Sequence, residues 1–151
     1  MQSFDILTIL CVGLMIGTEF TVSAFINPVI WQLEEKVHAR IVSLFAELLG
    51  RVMPRWYASS FVLILIEAYL RRQEPALPFL MTGAAIWLAV IFFTIATLVP
   101  INKRMVVLDA GALPAGWQQE HKRWDVLHRW RILFLVVAMV FLLHGILESL
   151  N

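Results

Sequence analysis

The segment from Ala76 to Ile101 contains no charged side chain. It is longer than the roughly 20 apolar residues that a helix needs to cross about 30 Å of hydrocarbon. Because a backbone in lipid has no water to bond with, it must satisfy its own N–H and C=O groups, as an α-helix does. The segment therefore predicts a transmembrane helix.

Three further apolar segments predict spans: Ile6–Ile26, Trp56–Leu70 and Ile132–Leu150. We expect Asn27-Pro28 to stop the first helix, since a residue before proline is pushed out of the α region. With 60% hydrophobic and only 15% charged residues, the chain is too apolar for an ordinary soluble domain. It predicts an all-α fold, an integral membrane four-helix bundle with up-down-up-down order, in a single domain over residues 1–151.

Helices 2 and 4 are expected to extend beyond the bilayer on one side. The segment Leu33–Leu49 has apolar residues at helical spacing and leads into the second span through Pro54, where we expect a kink. Trp117–Arg131 reads as helix that continues without interruption into the fourth span.

Basic residues are distributed unevenly between the loops. Ten lie before the second span or between the third and fourth, and only Arg71 and Arg72 lie in the remaining loop. The positive-inside rule places the ten in the cytoplasm and both termini outside it, in a bacterial inner membrane. A formal net charge of +1 gives no indication of a nucleic-acid partner.

Glu19 interrupts the first span, in the half that this topology assigns to the cytoplasmic side. A charged side chain within a span costs about 2.5–3.5 kcal/mol at the bilayer centre, so it needs a partner or a function. We expect Glu19 to contact Arg51, Arg131, His128 or Asn102. A structural ion pair and a ligand or proton site are both open interpretations. In the same helix, Gly13 and Gly17 predict close helix packing, within the bundle or against a second copy of the chain.

A polar face precedes the fourth span. His121, Trp124, Asp125, His128 and Arg131 recur every three or four residues and share one side of a helix. Two turns separate the histidines by about 10 Å, which disfavours one shared metal ion. A base and a cation beside an indole ring is one interpretation of this face, and a stripe that faces lipid headgroups is the other.

The topology brings several of these residues to one depth near the cytoplasmic boundary. They are Glu19, Asn27, Arg51, Asn102, His128 and Arg131. The sequence therefore predicts one pocket there, open to lipid or to the cytoplasm. Towards the other face, Glu67 and His144 are expected to form a simple buried pair.

Several short motifs carry a resemblance to a known family. They are Gly17-Thr18-Glu19-Phe20, Asn27-Pro28, Pro100-Ile101-Asn102, and the run from Arg123 to Arg131, which reads Arg-Trp-Asp-Val-Leu-His-Arg-Trp-Arg. In order and placement they resemble the anthrone-oxygenase-like family of small integral membrane proteins.

The resemblance implies oxidation of an anthrone-like, apolar polycyclic phenol without a metal or flavin. His128 or Glu19 would be the base that removes an activated C–H proton. Arg131, with Arg51, would stabilise the enolate, and the carbanion would reduce O₂ directly. Further substrate contacts are expected from Trp124, Trp56, Asn102 and Asn27.

Two other classes of function stay open. One is a non-enzymatic binder of quinone, haem or lipid, with His38, His121, His128 and His144 as candidate axial ligands. The other is a partner subunit of a membrane complex. No cofactor is predicted, with haem or a metal as the alternative, and the expected partner is a hydrophobic small molecule or a lipid.

The distribution of basic residues predicts the topology. A reporter that is active only in the cytoplasm should stay silent when it is fused after Asn151, and active when it is inserted in the loop after Arg104. Strong activity from the fusion after Asn151 would reverse the orientation.

Overall fold

Four helical rods make up the structure, a computed structural model that describes residues 2–108 and 113–149. The helices are α1 (Gln2–Thr21), α2 (Asn27–Ile30), α3 (Glu35–Leu70), α4 (Leu77–Phe93), α5 (Val99–Met105) and α6 (Trp117–Glu148). Turns of π-helix at Val22–Ile26 and Thr94–Leu98 join α1 to α2 and α4 to α5. No described residue lies in a strand, which confirms the predicted all-α class. Leu150, the predicted end of the last span, lies outside the described residues.

Three of the rods are long and apolar enough to cross a membrane. They are the continuous helical segments Gln2–Ile30, Leu77–Met105 and Trp117–Glu148, among the residues that the structure describes. The chain is therefore an integral membrane protein. The predicted second span, Trp56–Leu70, is the second half of α3, and its place in the bilayer stays a prediction.

Both helices that were predicted to lead into a span are continuous. In α3, Pro54 lies inside a helix of 36 residues. In α6, the polar face that starts at Trp117 runs without interruption into the apolar segment.

Pro28 does not stop the first helix, so that prediction was wrong. Proline lacks an N–H, and its ring collides with the carbonyl four residues earlier in a regular helix. Just before Pro28, the Asn27 N–H bonds to the carbonyl of Val22, five residues back. Before Pro100, the Val99 N–H bonds in the same way to Thr94. These π-helical turns change the hydrogen-bond register, which lets each helix pass its proline.

Glycine allows the close contact between α4 and α6. A Cβ added to Gly83 would lie 3.2 Å from the Ala138 carbonyl oxygen, and one added to Gly145 would lie 2.7 Å from the Leu80 side chain. Gly17, by contrast, has nothing within 4 Å of an added Cβ. The predicted close packing within the bundle at Gly17 was therefore wrong, and an interface with a second copy at that position stays a prediction.

A buried ionic cluster joins three helices at the end of the bundle where α1 begins and α6 ends. The fully buried Arg71 donates to Asp5 at 2.9 Å, to Ser149 at 2.8 Å and to Glu67. Thr8 also donates to Glu67, at 2.8 Å. The predicted pairing of Glu67 with His144 was wrong, because Glu67 takes the nearer Arg71 one turn along the chain. His144 packs against the Phe79 ring instead.

Replacement of Arg71 tests this cluster. Removing one partner of a buried ion pair leaves uncompensated charge, so Arg71→Leu should lower the free energy of unfolding by about 3–5 kcal/mol. Arg72→Leu is the matched control, because Arg72 is exposed and its change should lie within about 1 kcal/mol. Unfolding in mixed micelles measures both, and equal effects would show that the cluster does not stabilise the fold.

Candidate functional site

A cavity of about 560 Å³ lies between α1, α3, the α4–α5 segment and α6, about midway along the first rod. Six residues predicted for the site line it: Glu19, Arg51, Asn102, Trp124, His128 and Arg131. Apolar side chains form most of the remaining wall. The cavity reaches the protein surface, since the lining residues Ile95 and Arg51 are exposed.

Glu19 is the centre of the polar wall. It is 3% exposed, and the Arg131 guanidinium donates to its Oε2 atom at 2.5 Å. Tyr57 donates its hydroxyl to Oε1 at 3.0 Å. The expected contact of Glu19 with Arg131 and His128 is therefore present, and the pair joins α1 to α6. A carboxylate in this apolar setting is stabilised by the guanidinium and by the phenol hydrogen bond.

His128 is held by both ring nitrogens. Arginine donates and cannot accept, so the 2.8 Å contact from Arg131 makes Nδ1 of His128 the acceptor. Nε2 then carries the proton and donates to the backbone carbonyl of Glu19 at 3.1 Å. The imidazole is neutral in this arrangement, and it positions Arg131 against Glu19.

Trp124 covers the imidazole. Its ring stacks on that of His128, with 4.5 Å between centroids and 16° between planes. Two turns of α6 therefore present an indole, an imidazole and a guanidinium to the cavity, as the shared helical face predicted. Asn102 lies inside α5 and contributes its side chain to the opposite wall.

Two predicted contacts lie elsewhere, and a third faces outward. Trp56 packs against the core and donates its indole N–H to the carbonyl of Cys11 at 3.0 Å, because its position on α3 points away from the cavity. Asn27 donates to Asp125 at 2.5 Å, outside the cavity. Arg51 lines the mouth, but its side chain is 69% exposed and pairs with Glu47. Trp56 and Asn27 were therefore wrongly assigned to this cavity.

Tyr57 and Thr94 are among the cavity residues that the sequence reasoning missed. Tyr57 is buried on the α3 face that also carries Met53 and Ser60. A phenol on the buried face of a membrane helix needs a hydrogen-bond partner, and that need was the available signal. Thr94 begins the second π-helical turn. Nothing in the sequence indicates that Thr94 needs a partner on another helix, because serine and threonine in membrane helices commonly bond to their own backbone.

A second polar cluster lies next to the cavity, towards the Trp117 end of α6. His38 and His121 share a hydrogen bond of 2.9 Å between Nε2 and Nδ1, and Trp31 stacks on His121. Asp125 accepts from Trp31 at 2.7 Å as well as from Asn27. A small cavity of about 40 Å³ lies between this cluster and the main cavity.

The candidate haem ligands are mostly engaged. His38 and His121 bond to each other, and both nitrogens of His128 have partners. His144 lies against Phe79. Within the described residues, no group of three or more His, Cys, Asp or Glu side chains is arranged to hold a metal ion.

The fold and the cavity together define the class: a helical integral membrane protein with a ligand-sized, mainly apolar cavity that has a buried ion pair on its wall. The family model described as Anthrone oxygenase matches residues 45–141, which is more than half of the chain. The chain belongs to the anthrone oxygenase family, in agreement with the resemblance. No curated protein and no solved structure gives a match.

The matched range includes every cavity residue on α3, α5 and α6. Glu19 and the motif Asn27-Pro28 lie before it. The carboxylate that pairs with Arg131 is therefore assigned to the site by the structure and not by the family match.

The histidine cluster predicts a dependence of stability on pH. Burial, and then the neighbouring His121, lower the pKa of His38 below its ordinary value of 6.5, against opposing effects of Asp125 and Glu35. The unfolded chain therefore takes up a proton more readily, so the stabilisation is complete above about pH 6.5 and is lost as the pH falls below that value. We expect Tm to be lower at pH 5.5 than at pH 7.5 through this residue.

His38→Gln should reduce that difference, as measured by thermal unfolding in detergent at the two pH values. His144→Gln is the control, because His144 is exposed. If His38→Gln and wild type lose the same Tm between the two pH values, His38 does not contribute to the pH dependence.

Proposed function

We propose that this protein oxidises an apolar substrate that carries an acidic C–H bond, such as a polycyclic phenolic ketone, by proton abstraction and direct reaction with O₂. The observation that carries this proposal is the position of the Glu19–Arg131 pair on the wall of a mainly apolar cavity. Its volume of about 560 Å³ falls in the range of small-molecule sites. Membership of the anthrone oxygenase family supports the type of reaction.

The hydrogen bonds favour Glu19 over His128 as the base. Both nitrogens of His128 are engaged, one as acceptor and one as donor. Glu19 Oε1 accepts one side-chain hydrogen bond, from Tyr57, and keeps capacity for a second, whereas Oε2 accepts from Arg131 and lies 3.2 Å from His128 Nδ1. A proton from the substrate can therefore reach Glu19 without breaking the network. His128 then acts as a positioning residue that holds Arg131.

Arg131 is placed to stabilise the anion that this step forms. When Glu19 takes the proton, the negative charge moves from the carboxylate to the enolate oxygen of the substrate. The guanidinium then has the enolate as its counter-ion, and the site keeps its net charge. In surroundings of low dielectric such a fixed cation stabilises developing charge far more than it does in water.

The electron-rich enolate supplies the electrons for O₂. One electron passes from the carbanion to O₂, and the resulting pair combines to form a C–O bond. Protonation gives a hydroperoxide, R₂CH–OOH. Loss of its remaining C–H proton with cleavage of the O–O bond gives R₂C=O and water. The balance is R₂CH₂ + O₂ → R₂C=O + H₂O, with the carbon oxidised by four electrons and O₂ reduced to two oxide equivalents.

Non-enzymatic binding of a quinone or lipid is the second candidate. It is favoured by the apolar wall, which reaches the surface at the exposed side chain of Ile95. A binder would retain the ligand unchanged and consume no oxygen. Oxygen consumption therefore separates the two functions.

Oxygen uptake tests the proposal, with anthrone as the probe. Purified protein in detergent should consume one O₂ for each anthraquinone formed, above the rate of anthrone in empty micelles. Glu19→Gln keeps the shape of the side chain and removes the base, so the rate should fall by about 100-fold or more. An oxygen electrode and the absorbance of anthraquinone measure the two quantities together.

Arg131→Gln should also lower the rate, whereas Arg129→Gln, on an exposed position of the same helix, should not. Thermal unfolding of each variant separates loss of the site from loss of the fold. A Glu19→Gln protein that is folded and as fast as wild type would remove Glu19 as the base. Bound anthrone with no oxygen uptake above the blank would leave the protein a binder.

A further inference from the structure

Buried polar atoms without a hydrogen-bond partner collect at the cavity. Within the described residues, four side-chain atoms are buried and lack a partner, and three of them belong to residues that line the cavity. These three are Thr94 Oγ1, Trp124 Nε1 and Arg131 Nε. Native proteins leave few such atoms, so each requires an explanation, of which an absent ligand is one.

Thr94 is the exception among the threonines of this chain. Thr8 donates to Glu67 and lies 3.1 Å from the carbonyl oxygen of Phe4. The other four, Thr18, Thr21, Thr82 and Thr97, donate to the carbonyl four residues earlier in their own helix. Thr97 does so at 2.7 Å in the same π-helical turn that Thr94 begins. The Thr94 hydroxyl is therefore left without a hydrogen-bond partner, on a residue that lines the cavity.

Trp124 is likewise an exception among the tryptophans of the described residues. Trp31, Trp56, Trp87 and Trp117 all donate their N–H to an oxygen within the protein. Trp130 is 54% exposed, outside the bundle interior. Only the Trp124 indole, among the described residues, is buried with its N–H unused.

Arg131 also has a buried donor that is not used. Its Nη2 atom is engaged by Glu19 and His128, while the Nε atom has no partner in the part of the chain that the structure describes. The guanidinium can therefore hold Glu19 and bind a second acceptor at the same time.

We propose that the unpaired hydrogen-bond donors of Thr94, Trp124 and Arg131 select ligands that bear carbonyl or phenolate oxygens. Indole and guanidinium N–H groups donate and cannot accept, so only an acceptor satisfies them. An aromatic hydrocarbon or a lipid acyl chain fits the apolar wall but leaves all three groups unpaired. Selectivity against such ligands follows, because a buried site built for hydrogen bonds rejects a ligand that cannot make them.

This inference rests on the proposed function in one respect, that the cavity is the ligand site. It does not depend on the reaction with O₂. Thr94 becomes a specificity-determining residue, and the indole of Trp124 acts through its N–H as well as its ring face.

Two probes of the same shape test the site: anthraquinone, which has two carbonyl acceptors, and anthracene, which has none. Binding to protein in lipid nanodiscs is measured against empty nanodiscs. Wild type should bind anthraquinone about 10-fold more tightly than anthracene. Thr94→Val and Trp124→Phe keep the volume or the ring and remove the hydrogen bond. Each should weaken anthraquinone binding by about 3- to 10-fold and leave anthracene unchanged.

Thr97→Val and Trp130→Phe are the matched controls on the same helical segments and should bind both probes as wild type does. Equal affinity of wild type for the two probes would overturn the inference. The inference would also be overturned if Thr94→Val bound both probes as Thr97→Val does and Trp124→Phe bound both probes as Trp130→Phe does. Anthraquinone selectivity without anthrone oxidation would support this site and contradict the oxygenase proposal, so the two failures are distinguishable.

Discussion

The ion pair between Glu19 and Arg131 is the constraint on which the arrangement of the helices depends. Lipid chains are as apolar as leucine, so burial alone provides no driving force that sets the register of one membrane helix on another. A buried carboxylate needs its cation, and Glu19 on α1 finds it only at one register of α6. Two further polar layers add to this. Arg71 joins α1, α3 and the end of α6. Asp125 joins α6 to Asn27 and Trp31, on either side of Pro28. Together the three layers fix α1 against α6 along most of their length. Gly83 and Gly145 allow α4 to pack closely on α6.

The cavity lies where regular helix geometry is interrupted. Each π-helical turn ends at a bond that spans five residues, immediately before a proline, and each turn contributes its first residue to the cavity wall, Val22 and Thr94. Pro54 of α3 lines the same space. Such turns are frequent at functional sites, because a changed register presents side chains in directions that a regular helix does not offer. In this protein the interruption leaves Thr94 as the one described threonine that does not bond to its own helix. The same features that let the helices pass their prolines therefore shape the wall of the cavity.

The sequence located much of this site but not its boundaries. Glu19, His128 and Arg131 were identifiable because charge and imidazole within apolar segments require partners, and Trp124 followed from its spacing to His128. Trp56 and Asn27 were misassigned because depth in the membrane says nothing about which side of a helix faces the cavity. Trp56 lies on the α3 face that packs on α1, and Asn27 lies one layer further along, on Asp125. Glu67 was paired with His144 on the same argument of depth, whereas Arg71 was reachable one turn away.

The π-helical turns were not predictable, since the rule for residues before proline indicates an end of the helix and gives no sign of a register change.

The sequence by itself determined that the chain requires a lipid environment, that it is mostly helical, and which family it resembles. Long apolar segments require lipid, a backbone in lipid requires helix, and the polar motifs point to the anthrone oxygenase family. The requirement for lipid and for helix is a local property, set by composition and by spacing along the chain, whereas the family is what the motifs resemble. The tertiary structure decided which polar groups meet. It placed Tyr57 on Glu19, made His128 an acceptor from Arg131, and left Thr94 and Trp124 without partners beside the cavity. The physical reason is that hydrogen bonding in a low-dielectric interior depends on distances between different helices, and the register and rotation of those helices are set only when all of them pack together.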